Sequence, residues 1–148
     1  MSILVPVRED AHSKNTIPLG YDLAKKYDEK LVALHVIPQK EFEEYKKSLT
    51  EISEFDDYSF TQEASKAKTI AKQIVEIHLD EFDSTRIETR GRVGDRAEEI
   101  LLEADELDPR FMVAGGRRKS PVGKALFGST TQEILLSSEN PVVTTMQD

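Results

Sequence analysis

Hydrophobic positions along this chain follow two patterns, which predict two kinds of element. Short apolar runs at residues 3–7 and 31–37 predict buried strands, and a third run at residues 111–114 predicts another strand. Alternating positions at residues 86–91 and the segment 141–146 predict two more strands, the last of them at a sheet edge. Between these segments, apolar residues three or four positions apart predict amphipathic helices. The pattern therefore predicts five strands separated by helical segments.

The first two predicted helices differ in how clearly they begin. Asn15 or Thr16 can cap the first, with Pro18 in its first turn. The second runs from Ala64 to about Phe82 on a long apolar stripe. In residues 38–61, which precede this helix, apolar residues recur at no regular spacing, which predicts a variable loop or an irregular helix.

The last two predicted helices have capping signals. Asp95 with Glu98, and Ser129 with Gln132, have the spacing of an N-terminal capping pair.

Five strands alternating with four helices in 148 residues predict one α/β domain, residues 1–148, with an open parallel sheet covered by helices on both faces. Ligands of such sheets bind at the carboxyl ends of strands where the strand order reverses, which favours the loops after strands one and four.

Composition and charge narrow the function classes. The absence of cysteine excludes thiolate catalysis, iron–sulfur clusters and cysteine zinc sites. The amino terminus has neither a basic region nor a long apolar run, so we expect a soluble cytoplasmic protein without a membrane partner. The net charge is −8, yet residues 109–132 contain five basic residues and no acidic one. Because the positive charge is confined to one short segment of an acidic chain, we expect no nucleic-acid binding and expect a compact anion as the ligand.

The basic segment is also rich in glycine. Residues 115–129 read GGRRKSPVGKALFGS, after an apolar run and before a predicted helix. Backbone N–H groups and a helix N-terminus can converge there on a phosphate. The segment is not a P-loop, because that motif requires glycine at Arg118 and a hydroxyl residue at Ala125. No GxGxxG pattern follows the first strand.

The same segment resembles the universal stress protein family, whose members are single-domain α/β nucleotide-binding proteins. Members often carry a glycine after the fourth strand, a second glycine three positions on, and, after nine residues, a glycine followed by serine or threonine. Gly115, Gly128 and Ser129 match these places, and Arg118 replaces the second glycine. The proline ending of the first strand and residues 34–37 of the second also match, so the resemblance covers the whole chain.

The resemblance implies a Rossmann-like fold of the adenine nucleotide alpha hydrolase type with strand order 3-2-1-4-5. It implies ATP or another adenine nucleotide as ligand, with Mg²⁺ possible beside it. By resemblance, phosphate is held by Gly115, Gly128, Ser129 and Thr130. The base is surrounded by Pro6, Val7 and Val36.

Two arginines depart from the family pattern within this implied site. The Arg118 side chain either hinders close approach of phosphate to the backbone or itself holds the phosphate through charge-assisted hydrogen bonds. Arg8 stands where nucleotide binders commonly carry aspartate. A cation there favours a bare phosphate, a less-charged nucleotide, or an empty site closed by an ion pair with Glu9 or Asp10.

Catalysis has little support in the sequence. The three histidines share no metal-ligand spacing, and no histidine base is identifiable for Ser129 or Ser120. We therefore expect no enzyme activity beyond slow ATP hydrolysis. Two hypotheses stand, a nucleotide-binding stress-response regulator and an interaction module whose nucleotide site has decayed. The family resemblance further implies a homodimer through the last strand, with Val142, Val143, Thr144 and Thr145 at the interface.

Overall fold

The computed structural model describes residues 1–9, 13–50, 60–117 and 127–147. Within these residues, the strands form one parallel sheet in the order β3-β2-β1-β4-β5. The strands are β1 (Ser2–Pro6), β2 (Lys30–Pro38), β3 (Ile87–Gly94), β4 (Phe111–Arg117) and β5 (Val142–Gln147). The predicted fold class and strand order are confirmed.

Helices cover both faces of this sheet. They are α1 (Ser13–Tyr27), α2 (Gln39–Thr50), α3 (Phe60–His78), α4 (Arg96–Leu107) and α5 (Ser129–Ser137). A short 3₁₀ turn, Ser84–Arg86, precedes β3. In the described part of the chain, no helix is both long and apolar enough to cross a membrane.

Helix α2 brings the number of α-helices in the described residues to five, where four were predicted. It lies in the segment 38–61, for which a variable loop or an irregular helix was predicted, and the helical alternative is confirmed for Gln39–Thr50. Phe42 is buried, while most other described side chains of α2 are exposed, which leaves a weak apolar period in the sequence.

Alternating side chains of β1 divide the core into two layers. Ile3 and Val5 pack with α1 and α3 on one face, whereas Leu4 packs with Ile100 of α4 and Ile134 of α5 on the other. Burying such a side chain contributes about 1.5–3 kcal/mol. Both layers meet at β1, so the carboxyl end of this strand is approached by helices from both faces.

The start of α1 and the N-cap of α5 differ from the predictions, whereas α5 begins at Ser129 as expected. Helix α1 begins at Ser13, before Asn15 and Thr16, which places Pro18 inside the helix. Helix α5 has Gly128 as its N-cap, so the predicted capping pair of Ser129 and Gln132 was wrong. At α4 the prediction is confirmed, since Asp95 Oδ2 accepts a hydrogen bond of 3.0 Å from the Glu98 N–H.

Candidate anion-binding site

A cavity of about 240 Å³ opens at the carboxyl ends of β1 and β4. Strand β1 pairs with β2 on one side and β4 on the other, so the strand order reverses here. Eight of the nine predicted site residues line this cavity, namely Pro6, Val7, Arg8, Val36, Gly115, Gly128, Ser129 and Thr130. The ninth, Arg118, lies outside the described residues. The structure thus brings together residues from β1, β2, β4 and α5.

Hydrogen bonds from α1 and β2 hold the segment after β1, including one of 2.8 Å from the Val7 N–H to the Leu34 carbonyl. The Ser13 hydroxyl accepts a bond of 2.9 Å from the Arg8 N–H and donates one of 3.0 Å to the Arg8 carbonyl. The buried His35 donates from Nδ1 to the Val7 carbonyl over 3.0 Å. Val7 and Arg8 are therefore fixed at the cavity by groups from α1 and β2, and His35 has a structural role.

The N-terminus of α5 opens onto the cavity without a side-chain cap. Its N-cap, Gly128, has φ −61° and ψ 163°, a conformation that any residue adopts. Among the described residues, a Cβ added there would meet no atom within 4 Å. Neither the backbone conformation nor packing against the described residues therefore requires glycine at this position. What glycine does provide is open access to the N–H groups of the first turn, where anions bind helices.

Gly116 on β4 contrasts with Gly128. A Cβ at Gly116 would lie 2.7 Å from two ring carbons of Phe127 and 3.0 Å from Met146 Cε. This glycine is required because the Phe127 ring packs against the β4 backbone. The packing seats the residue before Gly128 and so positions the start of α5.

Arg96 and Thr16 also line the cavity, although neither was predicted from the sequence to be a site residue. Arg96 is the first residue of α4, directly after the Asp95 cap. A cation just beyond the carboxyl end of a strand is a signal that could have identified it. Thr16 was considered only as a possible cap. The rest of the new lining is mostly apolar and comprises Leu34, Ile100, Val113, Ala114, Thr131 and Ile134.

Helix α4, which carries Arg96, is anchored to β3 by a buried carboxylate. Glu103 accepts hydrogen bonds of 2.9 Å from Arg90 Nη1 and of 2.9 and 2.6 Å from Arg92 Nε and Nη2. Burial raises the pKa of the Glu103 carboxyl, but hydrogen bonds and charges of the two arginines outweigh burial and leave this pKa below its ordinary value. The ionised Glu103 thus fixes α4 on the edge strand.

The charges around the cavity all have one sign among the described residues. Arg8 and Arg96 line it, and no described lining residue is acidic. The described lining therefore offers no carboxylate to Mg²⁺. No group of three or more histidine, aspartate or glutamate side chains placed to hold a metal occurs in the described ranges. The lining also lacks, in its described part, a histidine or carboxylate that could act as base to Ser129. This arrangement suits binding of an anion joined to an apolar or aromatic group.

Comparison with known proteins gives concordant results. The model of the universal stress protein family matches residues 1–145. A curated universal stress protein of Mycolicibacterium smegmatis is 41% identical over 70 residues, which are 47% of this chain and 53% of that protein. The chain thus spans about half the length of this relative.

Two solved structures share the fold. The universal stress protein from Archaeoglobus fulgidus has 22% identity and a TM-score of 0.64, with 97% of each chain covered. A universal stress protein from the same organism in complex with dAMP has 18% identity and a TM-score of 0.60, covering 97% of this chain and 96% of that one.

Proposed function

Because this chain belongs to the universal stress protein family, we propose that it binds an adenine nucleotide in the cavity between β1 and β4 and acts as a stress-response regulator. The observation that carries the proposal is the combination of two arginines with an uncapped helix N-terminus around an otherwise largely apolar cavity. A relative of the same fold in complex with dAMP supports the choice of an adenine nucleotide.

In this proposal, the two parts of the nucleotide take different walls. The phosphate lies at the N-terminus of α5, near Gly128 and Ser129, where backbone N–H groups and the helix dipole favour an anion. The base lies against Val7 and Val36. The guanidinium groups of Arg8 and Arg96, which line the same cavity, add charge-assisted hydrogen bonds to the phosphate.

Arg8 has a further consequence for the metal requirement. Where related binders commonly carry aspartate, this chain has a cation that neutralises phosphate directly. Since the described lining contributes no carboxylate, the proposed complex forms without Mg²⁺. For the same reason, and because the described lining has no base beside Ser129, we propose binding rather than turnover of ATP.

Calorimetric titration with AMP and with ATP, each with and without Mg²⁺, tests the proposal. We expect saturable binding that Mg²⁺ does not strengthen. Replacing Arg8 by glutamine should weaken binding by roughly 10- to 100-fold, because a hydrogen bond to a charged group contributes about 1.5–3 kcal/mol.

Lys25→Gln is the matched control, since it removes the same charge from an exposed position in the last turn of α1. Its affinity should equal that of the wild type. Absence of binding by folded protein would contradict the proposal and favour an interaction module. Rapid, repeated phosphate release from ATP, well above a protein-free blank, would contradict the assignment as a binding protein with at most slow ATP hydrolysis.

We also propose that β5 pairs with a second copy of the chain. In the described residues, β5 pairs with β4 alone, and an exposed strand edge is normally covered or paired. Light scattering should give the mass of a dimer. Thr144→Lys, at an exposed position of β5, should give a monomer because an edge lysine blocks strand pairing. A monomeric wild type, or a dimer that survives this change, would exclude the interface.

A further inference from the structure

The hydroxyl of Thr16 is a buried polar group whose surroundings leave it unsatisfied. Thr16 is 2% exposed and lines the cavity from α1. Its Oγ1 has no hydrogen-bond partner among the described residues. Buried hydroxyl groups are normally bonded, and leaving one without a partner is unfavourable. A ligand atom in the cavity would satisfy it.

Among the described residues, the buried hydroxyl of Ser2 also lacks a partner, but Ser2 does not line the cavity, and other hydroxyl groups do find local partners. Ser13, one turn earlier on α1, makes two hydrogen bonds with the Arg8 backbone. Thr69 on α3 donates to the Ser65 carbonyl one turn back, as helical threonines commonly do. Thr16 has no bond of either kind to the described residues. Its hydroxyl is therefore distinguished by its cavity position and not by residue type.

The sheet separates Thr16 from the proposed phosphate position. Helix α1 packs on the face that includes Val7 and Val113, whereas Ile134 of α5 packs on the opposite face. Thr16 and the α5 N-terminus thus enter the cavity from opposite sides. A phosphate bound at α5 leaves the nucleoside part of the ligand to face α1.

We propose that the Thr16 hydroxyl forms a hydrogen bond with the base or ribose of the bound nucleotide and contributes to selection of the nucleoside. This inference rests on the proposed nucleotide binding and adds a contact from α1. Threonine fits this function because its hydroxyl both donates and accepts a hydrogen bond without adding charge.

Thr16→Val tests the contact, because valine has the same shape without the hydroxyl. Calorimetry should show a dissociation constant for AMP about three- to tenfold higher than that of the wild type. Inorganic pyrophosphate, measured by its competition with AMP, should bind equally well to both. Thr16→Ser, which keeps the hydroxyl, should bind AMP within about twofold of the wild type.

Stability measurements separate a ligand contact from a structural role. Thr16→Val should melt no lower than the wild type, because the hydroxyl it removes makes no described protein bond. Thr69→Val is the matched control at an exposed position, and it should leave AMP affinity unchanged.

The possible failures are distinguishable. If the wild type does not bind AMP, the proposed function is wrong and this inference fails with it. If the wild type binds and Thr16→Val binds equally, the inference alone is overturned. Equal weakening of AMP and pyrophosphate would overturn the assignment to the nucleoside, and a lower melting temperature with unchanged AMP affinity would assign Thr16 to the fold.

Discussion

Replacing Gly128 by aspartate should raise stability and lower nucleotide affinity, two effects of opposite sign from one change. The backbone at Gly128 accepts any residue, and an added Cβ has open space. An aspartate at the N-cap accepts hydrogen bonds from the N–H groups of the following turn. These are the same groups that we propose for phosphate, so side chain and ligand compete.

Both magnitudes follow from this geometry. Aspartate is a better N-cap than glycine by a few tenths of a kcal/mol, and its charge at a helix N-terminus adds about 0.3–1 kcal/mol. The sum should raise the melting temperature by about 1–4 °C in a chain of this size. Loss of one charge-assisted bond to phosphate costs about 1.5–3 kcal/mol, which weakens AMP binding by roughly 10- to 100-fold.

Thermal denaturation and calorimetry on the same preparation measure the two effects. Gly128→Asn is the matched control, because asparagine caps comparably without a charge. It should show a smaller gain in stability and a smaller loss of affinity than aspartate. Wild-type affinity in a folded, stabilised Gly128→Asp variant would refute the placement of phosphate at α5.

Other substitutions test the structure that supports the site. Glu103→Gln should lower the free energy of unfolding at pH 7 by about 2 kcal/mol, because it removes the charge of a buried carboxylate that pairs with both Arg90 and Arg92. Glu106→Gln, on the same helix but 66% exposed, should cost less than about 0.5 kcal/mol. The pKa of Glu103 is lower in the folded than in the unfolded protein, so its ionised carboxylate stabilises the fold fully above the ordinary carboxyl pKa. This stabilisation is lost as the pH falls through the folded-state pKa. Urea denaturation should therefore show that the difference in unfolding free energy between wild type and Glu103→Gln becomes smaller in acid. A difference that persists at low pH would contradict this account. Gly91→Ala should cost about 3 kcal/mol or prevent folding, because the added Cβ would clash with the Ala64 carbonyl oxygen and the Lys68 backbone nitrogen of α3. Gly128→Ala should cost less than about 1 kcal/mol, and comparable losses for the two glycines would contradict the packing of α3 on β3.

The strands were predictable because their signals are local. A run such as residues 31–37 is buried on both faces of a parallel sheet and reads as continuously apolar in β2. The Asp95 cap was predictable for a similar reason, since its partner is the Glu98 N–H three residues away. Helix α2 was predicted only as one of two alternatives, because most of its described side chains are exposed and give the sequence little apolar periodicity.

Some residues of the candidate site were likewise predictable from local sequence features, and others were not. Gly128 and Ser129 were identifiable because glycine spacing and a following helix are sequence features. Arg96 and Thr16 carry no motif, and each reaches the cavity only because α4 and α1 pack on opposite faces of β1 and its neighbours. The use of Gly128 as the N-cap of α5 was not predictable, because the contact between Phe127 and Gly116 that positions it joins residues of two different elements.

By itself, the sequence determined the alternation of strands and helices, and from it the parallel sheet, because periodicity and capping act over a few residues. It also indicated an anionic ligand, because the basic residues are concentrated in one short segment. Only the tertiary structure decided which side chains surround one cavity and which hydroxyl lacks a partner. Those properties depend on contacts between residues such as Thr16 and Arg96, which are far apart in the chain and meet only when both faces of the sheet are covered.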